Sequence, residues 1–129
     1  MLEPSVLLDA QVQMKRIYTQ LTEVMDLSRQ IAEAADRNDQ VSVQLLVAMR
    51  EEPVQKLGQA RRSLEIQRDS LPEEQGRRLA ALLDGAPAES PEETALADQT
   101  AMSRRLLRQV VELDTVLNRR ITGGKSVCP

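Results

Sequence analysis

The chain has 129 residues, a net charge of −3 and one aromatic side chain, Tyr18, with no histidine. That composition excludes a base-stacking nucleic-acid platform and every histidine-based metal or general-base site. Interspersed charge argues against binding to polyanions through bulk attraction, and the length suits one domain with a core of Leu, Val, Ile, Met and Ala.

Residues 10–35 dominate the pattern. Steps of four and three pick out Ala10, Met14, Ile17, Leu21, Val24, Ser28, Ile31 and Ala35, an apolar seam broken by one serine, which predicts a long amphipathic helix. It begins near Pro4 and Ser5 and ends at Asp36, Arg37, Asn38 and Asp39. At 1.5 Å per residue it is a rod of roughly 45 Å. The short turn sends the next helix back antiparallel, with Asp39 as its N-cap.

The second helix opens with Val41, Val43, Leu45, Leu46, Val47 and Met49, apolar on more than one side. Such a segment either lies between two neighbours or leaves a face for a partner. Pro53 predicts a kink, and Leu57, Ala60 and Leu64 carry the seam past it. After Asp69–Pro72 a short helix spans 73–84, with Leu79, Leu82 and Leu83 inward and with Glu73–Arg77 and Glu74–Arg78 pairs four apart. Gly85 to Glu89 form a linker. Ser90 as N-cap, Pro91, Glu92 and Glu93 start the last helix, which runs through Leu96, Ser103, Leu106, Val110, Leu113, Leu117 and Ile121 and stops at Gly123 and Gly124.

The expectation is an all-α fold: an elongated antiparallel bundle of three long helices and one short helix with coiled-coil-like packing. Residues 1–124 form the domain and residues 125–129 a flexible tail. The single cysteine, Cys128, can form no internal disulfide. No window approaches a membrane span, and Val6, Leu7 and Leu8 are too short a run for a secretory signal. Together these point to the cytoplasm.

Motifs for chemistry are weak. Gly123, Gly124, Lys125 and Ser126 resemble the end of a phosphate-binding loop, but Arg119 stands where the first glycine belongs and no room remains for the following helix. Asp36, Asn38 and Asp39 lack the rest of a calcium loop and read as caps. Lys15, Arg16 and Arg29 on the first helix bring the helical chorismate mutases to mind, yet that family's paired Ile-Asp steps and Leu-Leu-x-Arg pattern are missing. No catalytic residue, cofactor or metal is expected.

The apolar surplus says more. Leu107 and Val111 widen the seam of Leu106 and Val110 on the last helix, and Val43 and Val47 lie off the main line of the second. These six are the candidate partner-binding residues, for an amphipathic helix of another protein or for a second copy of the chain. Arg104, Arg105, Arg108, Arg119 and Arg120 could dock an acidic segment or simply complement the helix dipole.

In order, size and heptad pattern, most of the chain resembles the flagellar type III export chaperones of the FlgN and FliT kind. The likeness covers the long first helix, the turn Arg37, Asn38, Asp39 into residues 41–50, and the terminal helix from Leu96 to Ile121. It implies a cytosolic chaperone that holds the helical end of a hook-associated, filament or cap protein before export. It also implies cargo contact on the C-terminal helix, at Leu106, Leu107, Val110 and Val111 by position. A self-associating structural or adaptor coiled coil is the alternative.

Overall fold

The computed structural model describes residues 2–122, so the expected Gly123–Gly124 cap and the tail with Cys128 lie outside the described residues. Four α-helices follow in order: α1 Pro4–Asp36, α2 Gln40–Asp69, α3 Glu73–Leu83 and α4 Thr94–Thr122, the last preceded by a 3-10 turn at Pro91–Glu93. No helix among the described residues is long and apolar enough to cross a membrane.

α1 forms along the seam read from the sequence, with one shift at its end. Ala34, not Ala35, is fully buried, because two successive three-residue steps from Ser28 keep the seam on the inner face. The helix closes on Asn38, whose φ of 57° is the left-handed conformation that asparagine tolerates. There the Asn38 and Asp39 amides donate to the carbonyls of Ala35 and Ala34. Asp39 then caps α2, accepting from the Ser42 amide at 3.1 Å and its hydroxyl at 2.6 Å. Those bonds, the hydroxyl first, lower the pKa of the Asp39 carboxyl.

α2 runs unbroken through Pro53 and returns to the start of α1, where Gln67 donates to the Val6 carbonyl at 2.9 Å. α4 runs parallel to α1: Leu96 lies in the cluster with Leu7 and Ala10, whereas Arg120 pairs with Asp36 at the far end. The return of the chain through α3 and its loop produces this direction.

α3 decides the cross-section. It packs on α2 and on α4, and α1 also packs on both, but the backbones of α2 and α4 stay more than 8 Å apart. Helices α1 and α3 therefore face each other across the pair α2 and α4, as opposite corners of a four-helix bundle. At its start α3 presses on the end of α2, where a Cβ on Gly76 would stand 2.9 Å from the Arg68 carbonyl oxygen, so only glycine permits the approach. At its end Asp84 pairs with Arg104 at 3.5 Å, and Gly85, at φ 103°, turns the chain back.

With 11 residues against 29 in α4, α3 covers only the lower part of the bundle. The lower core holds Leu7, Met14, Leu21, Leu64, Leu79, Leu82 and Leu96; Leu79 and Leu82 are fully buried, each contributing roughly 1.5–3 kcal/mol. The upper core is smaller: Ile31, Ala34, Val43 and Leu117, with Leu46 and Leu113 against them.

The start of α4 differs from the expectation. Ser90 makes no capping bond; instead Glu93, almost fully buried, accepts from the Glu89 amide at 2.9 Å and from the Arg78 guanidinium at 2.6 Å. Arg78 also donates to the Pro87 carbonyl and pairs with Glu89, so the expected Glu74–Arg78 pair gives way to a staple between α3 and the head of α4. The Glu73–Arg77 pair does form, at 3.1 Å. The Arg78 bond, outweighing burial, holds the Glu93 carboxyl below its ordinary value.

Candidate protein-binding surface

Above the end of α3, nothing in the described chain covers the side of the bundle between α2 and α4. One ion pair crosses it. Arg50 of α2 meets Asp114 of α4 and donates to the buried Ser28 hydroxyl of α1 at 3.0 Å, joining the three long helices in one polar layer. The pair also fixes which faces line the opening. On α2, Val47 and Val54 stand three before and four after Arg50; on α4, Val111 and Leu107 stand three and seven before Asp114. Residues at these spacings share a helix face, so all four lie on the sides that bear the crossing pair. Each is exposed, Leu107 to 45% and Val111 to 55%.

The six residues singled out from the sequence thus divide. Leu107, Val111 and Val47 reach the surface; Leu106 is half-buried against the lower core. Val110 belongs to that core and Val43 to the upper one, so neither presents a face to a partner. In the adjacent pairs Leu106–Leu107 and Val110–Val111, one member points inward and the next, about 100° round the helix, points out.

Gly58 stands four residues beyond Val54 on the same side of α2. A Cβ there would have nothing within 4 Å, so no internal contact requires glycine. A mid-helix glycine costs about 1 kcal/mol relative to alanine, and here the fold gains nothing from it.

A second uncovered strip lies on the outer side of α2. Val41, Leu45 and Met49, spaced by four, are exposed to 78%, 61% and 50%. Residues 40–49 contain no charged side chain. The run that reads from the sequence as apolar on more than one side therefore leaves a face outward, and its spacing was the signal for these three additional candidates.

The concavities described are shallow. One of about 700 Å³, beside the base of α3, is lined by Arg77, Arg78, Glu89 and Glu93, whose charges pair with carboxylates or arginines already described or with Glu73. Arg16, one of the cations weighed for a dicarboxylate site, lines a separate depression between α1 and α2 with Lys56, which Glu52 pairs at 2.9 Å. Lys15 and Arg29 are exposed and line none of the depressions described. Among the described residues no cluster of three metal-ligating side chains occurs.

No protein-family model matches the sequence, and no curated protein or solved structure matches it significantly.

Proposed function

We propose that the protein is a binding protein that captures an amphipathic helix of another protein, acting as a cytoplasmic chaperone for a flagellar export substrate. The observation that carries this reading is the bundle's incomplete fourth corner. α3 fills it below, and above α3 the same two helices leave Val54, Leu107 and Val111 uncovered. A helix laid there would bury its apolar stripe against those side chains, as α3 buries Leu79 and Leu82, and would be shielded from polymerising or aggregating. The flagellar assignment draws on the likeness to the FlgN and FliT chaperones.

A self-associating adaptor is the second reading, favoured by the neutral strip Val41, Leu45 and Met49. A surface that meets its own copy about a two-fold axis gains from carrying no net charge.

The two readings separate in one experiment: affinity capture from the parent organism's lysate with wild type and with a Leu107→Asp, Val111→Asp double variant, with light scattering on both. Recovery of one hook-associated, filament or cap protein by monomeric wild type, and its loss with the variant, supports the chaperone. A wild-type dimer without specific prey, split by Val41→Asp and Leu45→Asp, supports self-association and rejects capture.

A further inference from the structure

The charges around the open corner narrow what can occupy it; the argument rests on the capture reading above. α2 and α4 run antiparallel past the Arg50–Asp114 pair, so Arg61 and Arg62, eleven and twelve residues beyond Arg50, lie level with Ser103 and Met102. That level is the top of α3, where Arg104 meets Asp84. Arg108 lies one turn above Arg104 and three residues before Val111.

Arg61, Arg62 and Arg108 form no ion pair among the described residues, whereas Arg104 is held by Asp84 and Arg50 by Asp114. Glu51 and Glu65, also without an ion pair, sit at the two ends of this stretch of α2. Between them Arg61, Arg62 and Arg108 stand at the lower mouth of the opening, and from there up to the Arg50–Asp114 layer the walls carry Val54, Leu107 and Val111. The opening is also continuous with a working helix seat, since α3 docks between the same two walls.

We propose that the occupant is an amphipathic helix of another protein that carries carboxylates on its lower turns, next to the end of α3, and small apolar residues at the level of Gly58. Its carboxylates complete ion pairs with Arg61, Arg62 and Arg108, and its apolar stripe covers Val54, Leu107 and Val111. The absence of a side chain at Gly58 lets the two backbones approach closely. The length of α4 above Arg104, at 1.5 Å per residue, leaves room for roughly 25 Å of helix, about four to five turns.

The test uses three labelled 18-residue peptides that share one Leu/Ala seam and differ at three flanking positions near one end, occupied by Glu, Gln or Lys. Binding to the full chain is read by fluorescence anisotropy at low salt and in 0.5 M NaCl. Three exposed ion pairs predict that the Glu peptide binds about ten-fold tighter than the Lys peptide, with the gap closing in high salt. The order inverts for Arg61→Glu, Arg62→Glu, Arg108→Glu, and flattens for the corresponding glutamine variant, which serves if the reversal unfolds the chain. Equal binding of all three peptides overturns the acidic occupant and leaves helix capture standing. No binding of any peptide to monomeric wild type overturns capture, and the acidic occupant with it.

Discussion

The lower half of the bundle has four helices and the upper half three, although both use the same α1, α2 and α4. Below, α3 seals the side between α2 and α4, and the leucines there are fully buried. Above, that side is spanned by one ion pair, and valine and leucine side chains on both walls remain half in solvent. The exposed Leu107 and Val111 of α4 therefore differ from the buried leucines below by the absence of α3 at their level. They continue the wall that seats α3, beyond the point where α3 ends.

Substitution sharpens the contrast first in stability. Leu82→Ala, in the sealed half, is expected to cost about 2–5 kcal/mol in urea unfolding, whereas Val54→Ala in the open half should change stability by less than about 0.5 kcal/mol. Similar losses at both positions would mean that the upper wall is packed.

Next comes the staple that holds α3 to α4. Glu93→Gln removes one side of a shielded, charge-assisted contact and should cost about 1.5–3 kcal/mol. Because folding lowers the Glu93 pKa, its contribution is fully present above the ordinary carboxylate value near 4.5 and fades as pH falls through the lower folded value. Wild type should therefore lose stability over that acidic window more steeply than the variant. Parallel acid profiles would remove Glu93 from the account.

The Arg50–Asp114 pair is partly exposed, so a double-mutant cycle with Arg50→Met and Asp114→Asn should give a coupling of only about 0.5–1 kcal/mol. Of similar size, and opposite in sign, is Gly58→Ala. With open space at that Cβ it should stabilise the free protein by about 0.5–1 kcal/mol, while weakening capture of a helix. A stabilised variant with undiminished capture would mean that the bound helix does not pass Gly58.

Much of this fold was legible because it is local. The seam of α1, the Asp39 cap and the hairpin into α2 follow from spacing and from one side chain three residues from its amide. Residue types alone did not reveal the seat of α3, which depends on Gly76 meeting the Arg68 carbonyl across two helices. Spacing pairs Arg78 with Glu74 for the same reason: a partner four residues away competes with Glu93, which only the folded chain brings near. The candidate surface was half legible. Periodicity set Leu107, Val111 and Val47 off the seams and put Val110 on one, but it could not place Val43 inside, because the inward direction of a wide apolar stripe is set by where the neighbouring helices stand.

Whether the corner above α3 accepts a helix is read from methyl-resolved NMR of the full chain titrated with the acidic 18-residue peptide. The account predicts chemical-shift changes at the methyls of Val54, Leu107 and Val111, with those of Val41 and Leu45 unmoved. Changes confined to Val41 and Leu45, or none at saturating peptide, would contradict it.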